Sequence, residues 1–328
     1  MRKHLDERAA AAAAEGRKMR PLNITVNSSA DAEKFIDKCE REYEGRLCAA
    51  AGDVLSCGRR VIALAGPTCS GKTTTARLLS REIEEAGYRA VVMSIDDFYR
   101  DDLRAETPDG STPDFDSAET IDLPYFGSFT ESLFAGERVK IPIFDFMSGK
   151  RSGYREYVPD PRDVYIFEGI QAMYPEVTRF FGDLYTSIFI CVSDDVELCN
   201  VSFTADEVRF LRRTVRDYLF RNAAPEFTLK CWSTVRANED ANIFPHTAAV
   251  KVRIDSFLDY EMLLLARYAL PLLRSVPQDD PNRRCAADLI LRLSQLEPSR
   301  YFEPSMVPPE SMFREFIGSD TDALRIGI

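Results

Sequence analysis

The sequence contains little histidine and tryptophan: its 328 residues include two histidines and one tryptophan. Its eight cysteines are widely spaced, and none forms a Cys-x-x-Cys pair. Because a zinc site needs about four clustered cysteine and histidine ligands, this distribution argues against one. Spread cysteines are more typical of reduced thiols, so we expect a cytoplasmic protein.

Positive charge is also in deficit, because 42 lysines and arginines face 53 aspartates and glutamates, for a formal net charge of −11. We therefore expect neither nucleic acid nor a membrane as a partner, although a local basic patch could still bind phosphate. No stretch approaches the ~20 apolar residues that a membrane helix requires. Residues 1–20 lack the apolar centre of a secretion signal and are interpreted as a frayed or disordered leader.

Residues 66–73 form a complete phosphate-binding motif, G-x-x-x-x-G-K-[ST], with the sequence GPTCSGKT. The motif follows an apolar run at 61–65, which predicts a buried strand, and precedes 74–79, which predict the start of a helix. In that context backbone N–H groups bind phosphate oxygens, Lys72 reaches the outer phosphates and the Thr73 hydroxyl binds Mg²⁺. The positions expected to contact the nucleotide are Gly66, Thr68, Cys69, Ser70, Gly71, Lys72, Thr73 and Thr74. A Gly/Ser-rich surface turn is the alternative interpretation.

From residue 61 onward, apolar strand candidates alternate with helical segments. The predicted strands are 61–65, 90–95, 164–168, 187–192 and 249–254. This alternation predicts an α/β protein with a mostly parallel sheet and helices on both faces. Amphipathic or short helices are predicted over 31–50, 284–297 and near 311–317. A loop over 106–124, rich in Pro, Asp, Ser and Thr, is long enough to suggest a functional role.

Carboxylates follow two of the predicted strands. Asp96 and Asp97 come directly after 90–95, and Glu168 ends 164–168. In an open parallel sheet the ligand lies beyond the carboxyl ends of the strands, so we expect these acids to converge on the phosphate loop. Oxygen ligands suit Mg²⁺, and an anionic group can accept the proton of an acceptor hydroxyl. Each carboxylate alone is equally compatible with an ordinary strand-end acid.

An arginine-rich helix with a capping-box start is predicted over 204–221. Its arginines are Arg209, Arg212, Arg213, Arg216 and Arg221. Arg209, Arg213 and Arg216 share one face, where guanidinium groups repel one another unless anions or acids offset them. We interpret the segment as a mobile lid that brings arginines to a transferring phosphate, with a solvated charged face as the alternative.

The ordered motifs resemble the uridine kinase family of P-loop nucleoside kinases, within the phosphoribulokinase/uridine kinase group, over about residues 60–275. They are GPTCSGKTT at 66–74, SIDDFY at 94–99, FD at 115–116, IPIFDF at 141–146, FEGI at 167–170 and RRTVRD at 212–217. The segments at 220–228 and 314–318 resemble a bacterial uridine kinase-like subgroup. No Asn-Lys-x-Asp guanine-recognition motif is present, which disfavours a GTPase. The resemblance implies a P-loop NTPase-type three-layer fold with a helical lid.

The resemblance also implies a kinase that uses ATP and Mg²⁺ to phosphorylate the 5′-hydroxyl of a nucleoside, with uridine or cytidine first. Asp96 is implied as the base and, with Thr73 and Glu168, as part of the Mg²⁺ site. The arginines implied to face phosphates are Arg213, Arg216 and Arg221. The residues implied for the nucleoside pocket are Tyr99, Phe115, Asp116, Phe144 and Phe146, with Asp116 on the ribose hydroxyls.

Two positions depart from the family pattern. Members that phosphorylate uridine and cytidine usually carry Tyr at the position of Phe144 and His at the position of Gly149. A kinase of another small alcohol, such as a sugar phosphate or a vitamin precursor, therefore stays open as an alternative. A nucleotide-binding regulator without strong catalysis is a second alternative.

The same motifs suggest a division of the chain into three parts. Residues 1–56 are expected to form a leader and helix, and 57–275 a P-loop kinase domain with its lid at about 204–228. Residues 276–328 are expected to form a C-terminal helical extension that packs on the kinase domain. The sequence leaves open whether the protein forms a homo-oligomer.

Overall fold

The computed structural model describes residues 17–101, 115–146 and 148–326. The predicted leader up to residue 16 and the part of the 106–124 loop before residue 115 lie outside these residues. In chain order, the elements are β1 (Met19–Pro21), α1 (Ser29–Ser56), β2 (Val61–Ala65), α2 (Lys72–Glu85), β3 (Arg89–Ser94), α3 (Leu123–Phe134), β4 (Val139–Asp145), β5 (Lys150–Tyr157), β6 (Asp163–Glu168), α4 (Pro175–Thr178), β7 (Tyr185–Cys191), β8 (Asp195–Leu198), β9 (Val201–Phe203), α5 (Ala205–Arg221), α6 (Pro225–Asn242), β10 (Val252–Asp255), α7 (Glu261–Ser275), α8 (Arg283–Leu293), α9 (Arg314–Ile317) and α10 (Asp320–Ala323).

The central sheet has five parallel strands in the order β10-β7-β2-β6-β3. β2 lies in the middle, between β6 and β7, and each of its residues is buried. Continuous burial is typical of a parallel strand, because crossover helices cover both faces of the sheet. The predicted α/β fold class is confirmed, and the five predicted strands are present with ends shifted by a few residues.

Side chains of β2 alternate between two hydrophobic cores, as the pleat of a strand requires. Ile62 and Leu64 pack with α1, α2, α5, α7 and the C-terminal segment. The other side chains of β2 pack on the opposite face with α3 and with the rings of Phe126 and Phe167. The loops at the carboxyl ends of the strands lie between these two packed layers.

The hairpin β4–β5 and the small sheet β1-β8-β9 lie outside the predicted strands. β5 has the sequence KRSGYREY and mostly exposed side chains, so it lacks the apolar signal from which a buried strand is predicted. Met19 in β1 pairs with Asp195 in β8. A local sequence pattern cannot predict a pairing between residues this far apart in the chain.

Helix α1 and the C-terminal segment that contains Ser311 pack in the same hydrophobic core, on one side of the sheet. The Tyr43 hydroxyl in α1 lies 2.6 Å from the Thr75 hydroxyl in α2. Glu40 in α1 accepts hydrogen bonds from the hydroxyl groups of Tyr260, at 2.5 Å, and Ser311, at 2.6 Å. The division into a kinase domain and two flanking parts stays a prediction. No helix within the described ranges is long and apolar enough to cross a membrane.

Candidate active site

The phosphate loop connects β2 to α2 and requires glycine at both ends. At Gly71 φ is +85°, and a Cβ atom there would lie 2.5 Å from the Met312 sulfur. A Cβ atom on Gly66 would lie 2.2 Å from the carbonyl oxygen of Ile190. As the N-cap residue, Gly71 has no side chain with which to cap α2. The first N–H groups of this helix therefore need an acceptor from elsewhere, which an anionic ligand can supply.

Basic side chains hold the carbonyl groups of the loop. Lys72 Nζ donates to the Pro67 carbonyl at 3.0 Å, and Arg209 and Arg212 donate to the next two carbonyls, both at 3.1 Å. Cys69 adopts φ +56° and its side chain is buried, so its contribution to a ligand site is its backbone N–H. Successive N–H groups in such a turn form a concave site for an anion.

The expectation that Arg209 belongs to a solvated or phosphate-facing row of arginines is wrong. Arg209 is 2% exposed and pairs with Glu239 at 2.7 Å, while Arg212 is fully buried and pairs with Glu261 at 2.6 Å. Glu239 also accepts the N–H of Thr68 at 3.1 Å. Buried charges persist only when they are paired, so these ion pairs form a scaffold behind the phosphate loop.

Asp217 offsets the charges of the other arginines of α5. Its carboxylate lies 3.2 Å from Arg213 Nε, 2.7 Å from a terminal nitrogen of Arg216 and 3.5 Å from Arg221 Nε. Asp217 is thus the acid that offsets the repulsion expected among these guanidinium groups. Burial, the larger cause, still lowers the pKa of Arg221, and the charges of Arg216 and Arg213 lower it further. The apolar side of α5 is buried in the core, so the packing does not favour movement of this helix. A lid at 204–228 stays a prediction.

Asp96 follows β3 and Glu168 ends the neighbouring strand β6, so both acids lie beside the phosphate loop. Glu168 is 5% exposed, and the Thr73 hydroxyl donates to it at 3.5 Å. Burial raises the pKa of the Glu168 carboxyl to about 7; the Asp96 carboxylate adds to this increase, and Lys72 opposes it. Burial also raises the pKa of the Asp96 carboxyl, again against the attraction of Lys72. The two acids and the lysine thus act on one another electrostatically.

Asp97 makes a structural contact. Its Oδ1 atom accepts the N–H of Phe144 at 3.1 Å and so fixes β4 to the segment that follows β3. Asp96 instead accepts the hydroxyl of Tyr99 at 3.1 Å. The geometry therefore supports Asp96 rather than its neighbour as the candidate base.

The oxygen atoms of Thr73 and Glu168 suit a magnesium ion. Mg²⁺ in proteins commonly takes one or two carboxylates and fills its other positions with phosphate oxygens and water. Over 17–101, 115–146 and 148–326, no group of three or more His, Cys, Asp or Glu side chains could hold a metal ion.

The four aromatic residues predicted for the nucleoside pocket form a cluster beside Asp96, whereas Asp116 is joined to this region by its backbone carbonyl. The ring centroid of Tyr99 lies 5.5 Å from that of Phe115 and 5.4 Å from that of Phe144. The Phe146 ring lies 5.3 Å from Phe144. Phe144 is 7% exposed and Phe146 50%, so the cluster has a buried side and a side open to solvent.

Gln171 and Tyr174, which follow β6, belong to this region and were missed from the sequence. Gln171 is fully buried and donates to the Tyr99 hydroxyl at 3.1 Å and to the Phe115 carbonyl. The Tyr174 hydroxyl donates to the backbone carbonyl of Asp116 at 3.0 Å. The polar side chain of Gln171 soon after a buried strand was the available signal.

Gly149 lies in the turn between β4 and β5. Its φ is +71°, and its N–H donates to the carbonyl of Asp145 at 2.8 Å. A left-handed φ favours glycine, so the residue has a backbone reason for its identity. The turn consequently presents no side chain at the position where related pyrimidine kinases usually carry histidine.

Comparisons with known proteins give a family and several relatives of this chain. The model of the Phosphoribulokinase / Uridine kinase family matches residues 61–260. The uridine kinase of Lactobacillus helveticus is 28% identical over 157 residues, which are 48% of this chain and 67% of that protein. The uridine kinase of Deinococcus deserti is 30% identical over 171 residues, which are 52% of this chain and 74% of that protein.

Among solved structures, one described as a possible uridine kinase from Bacillus stearothermophilus is 22% identical to this chain. The match covers 45% of this chain and 79% of that one, with a TM-score of 0.37. The family model spans the phosphate loop, both strand-end acids and the arginine helix. Because the family model matches more than half of this chain, the chain belongs to the Phosphoribulokinase / Uridine kinase family.

Proposed function

We propose that this chain is an ATP- and Mg²⁺-dependent kinase that transfers the γ-phosphoryl group to the 5′-hydroxyl of a ribonucleoside, with uridine and cytidine as the first candidates. Family membership gives the reaction class, phosphoryl transfer to an acceptor alcohol. The observation that carries the nucleoside assignment is the position of Asp96. Its carboxylate is attracted by Lys72 of the phosphate loop and accepts a hydrogen bond from Tyr99 of the aromatic cluster.

In this proposal the loop N–H groups and Lys72 bind the phosphates, and Thr73 and Glu168 hold Mg²⁺. The bound ion neutralises charge on the phosphate chain. Asp96 orients the acceptor hydroxyl and takes its proton. Because burial raises the pKa of its carboxyl, Asp96 is a stronger proton acceptor than an exposed aspartate.

The arginines that Asp217 fixes would stabilise charge on the phosphoryl group during transfer. Arg221 attracts the Asp96 carboxylate and so opposes, as Lys72 does, the increase that burial causes in the pKa of that carboxyl. Arg216 is held by the same Asp217 carboxylate as Arg221. Fixed positive charges at such positions stabilise a transition state without reorganising. Arg213 shares the same carboxylate partner and is assigned the same role.

The acceptor would lie against the aromatic cluster, with its base on Phe144 and Phe146 and its ribose hydroxyls on Asp116. Stacking on a ring tolerates different bases, whereas polar contacts discriminate between them. Gly149 supplies no such side chain, and Phe144 lacks the hydroxyl of tyrosine. We therefore propose a kinase that requires a ribose diol but discriminates weakly between bases.

The absence of a base-reading side chain at Gly149 also favours one alternative, a kinase of another small alcohol such as a sugar phosphate. The family description itself includes phosphoribulokinase. A regulator that binds nucleotide without transferring phosphate is disfavoured, since Lys72, Asp96 and Glu168 are all present.

The test is incubation with ATP, Mg²⁺ and uridine or cytidine, followed by mass-spectrometric identification of the product. We expect the nucleoside 5′-monophosphate, formed in proportion to ADP. The Lys72→Ala variant should stay folded and lose at least about a hundredfold in turnover, because one phosphate-binding charge is removed. ATP turnover that depends on a sugar phosphate but on no nucleoside would move the assignment to the other alcohols.

A further inference from the structure

The C-terminal segment 311–318 lies against the phosphate loop. Glu315 Oε2 accepts the hydroxyl of Thr74 at 2.8 Å and the N–H of Thr74 at 3.3 Å. Met312 packs on the same loop, because its sulfur lies where a side chain at Gly71 would project. A segment outside the matched family region therefore contacts two positions of the candidate nucleotide site.

Thr74 is the third residue of α2, so its N–H is one of the first-turn donors that have no partner within the helix. In a phosphate-binding loop such donors bind the phosphate oxygens nearest the nucleoside. A carboxylate oxygen and a phosphate oxygen are both anionic acceptors, and each favours the positive end of a helix. Glu315 thus engages the same pair of donors that a nucleotide phosphate would use.

The backbone that carries Glu315 is firmly anchored. Ser311 donates to the buried Glu40 at 2.6 Å, and the ring of Phe313 lies 5.7 Å from that of Tyr260. The buried guanidinium of Arg212 lies 4.7 Å from the centroid of Phe316. The Glu315 side chain itself is partly exposed, so it can leave Thr74 by rotation while its backbone stays in place.

We propose that Glu315 is a built-in competitor of the donor nucleotide, which lowers nucleotide affinity and leaves Thr74 when a phosphate binds there. The inference rests on the proposed function, because it assigns a regulatory contact to the nucleotide site of that kinase. Two anions cannot share one pair of donors without repulsion, so each nucleotide that binds must first displace the carboxylate.

The experiment is calorimetric titration of ATP-Mg²⁺ and ADP-Mg²⁺ into the full chain without any acceptor. Glu315→Gln keeps the size of the side chain and removes its charge. We expect its Kd for both nucleotides to fall by about twofold to fivefold, the range expected for one charge at a helix N-terminus. Adenosine, which carries no phosphate, should bind the variant and the wild type equally.

Glu310→Gln is the matched control. Glu310 directly precedes this segment and pairs with Arg77 and Arg81 rather than with Thr74. Its Kd for ATP should equal that of the wild type. Glu315→Ala, checked for folding by its thermal unfolding midpoint, should reproduce the tighter binding of Glu315→Gln.

An unchanged or weaker ATP affinity in both Glu315 variants overturns the inference, and weaker binding would make Glu315 a contributor to nucleotide affinity. Different results would contradict the proposed function. A wild type that binds ATP but phosphorylates no nucleoside contradicts that function and leaves the Glu315 measurement decisive. A wild type that binds no nucleotide overturns both.

Discussion

The candidate site has a proposed donor end, the phosphate loop at 66–74, and a proposed acceptor end, the aromatic cluster around Tyr99, and the two are built in different ways. At the donor end, a short contiguous loop is held from behind by buried ion pairs, Arg209 with Glu239 and Arg212 with Glu261. At the acceptor end, aromatic rings from separate segments meet, and Phe146 on the open side is half exposed. The difference suggests a fixed site for phosphates and a more permissive site for the group that receives one.

This contrast has a physical origin. Phosphate transfer needs donors and charges at fixed positions, and buried ion pairs hold a loop rigidly because breaking them leaves an uncompensated charge. Ring contacts are less directional, and a stacked acceptor can shift or be replaced by another of similar shape. Selection for one acceptor then requires polar side chains, and Gly149 supplies none.

The largest expected effect is on Asp96, where the two ends meet. Asp96→Asn should lower turnover by about a hundredfold to ten-thousandfold, the range for a lost general base, and should keep ATP binding. Asp97→Asn is the matched control, with a smaller loss that comes from a weaker bond to the N–H of Phe144. Steady-state kinetics and calorimetric ATP binding measure both. An inactive Asp97→Asn beside an active Asp96→Asn would show that the assignment is off by one residue.

The scaffold of the donor end gives the second prediction. Glu239→Ala removes the buried carboxylate that pairs with Arg209 and leaves that guanidinium only the partly exposed Asp206 as an acid partner, so it should lower the free energy of unfolding by about 3–5 kcal/mol. Asp240→Ala, next in sequence, removes a 62% exposed partner of Arg236 and should cost less than about 1 kcal/mol. Urea unfolding measures both. Equal small losses would mean that the buried pair does not stabilise the loop region.

The donor end could be predicted from the sequence more completely than the acceptor end. The motif at 66–74 is contiguous, and parallel strands bring Asp96 and Glu168 to it for topological reasons. The buried ion pairs behind the loop could not be predicted, because whether Arg209 pairs with Glu239 depends on how α5 and α6 pack. The contact of Glu315 with Thr74 could not be predicted for the same reason, since the two residues lie 241 positions apart in the sequence.

The acceptor end was anticipated only through the family resemblance. Aromatic residues at positions such as 115, 144 and 146 carry no periodic pattern that predicts a shared cluster. The β4–β5 hairpin presents Phe144 and Phe146. Its second strand, β5, is polar and lacks the apolar pattern from which a strand is predicted. Gln171 was missed because one buried amide after a strand is as easily structural as functional.

A pH titration gives the third prediction. The pKa of the Glu168 carboxyl is raised from 4.5 to about 7 in the folded chain, so the folded state binds its proton more tightly than the unfolded state. Without ligands, the stability contributed by this group is present below its unfolded pKa and is lost as the pH rises through the folded one. The free energy of unfolding should therefore fall over that window, and Glu168→Gln should make the slope shallower. An identical slope would indicate an ordinary carboxyl.

The fourth prediction separates the helices of the predicted lid region. α5 is buried in the core along its apolar side, whereas α6 has few buried residues. We expect slow hydrogen exchange in α5 with and without ligands. Exchange in α6 should slow when an ATP analogue and an acceptor are added together. Fast exchange in α5 that becomes slow with ligands would instead support a mobile lid that includes the arginine helix.

The central claim, a fixed donor site joined to a permissive acceptor site, is tested most directly by kcat/KM for a panel of acceptors at saturating ATP-Mg²⁺. The panel is uridine, cytidine, adenosine, inosine and 2′-deoxyuridine. We predict several ribonucleosides within about tenfold of one another and a poor 2′-deoxynucleoside, because in the proposed site Asp116 binds the diol while stacking on Phe144 tolerates different bases. A preference for uridine above about a hundredfold over every other base would contradict it, since polar contacts would then read the base despite Gly149.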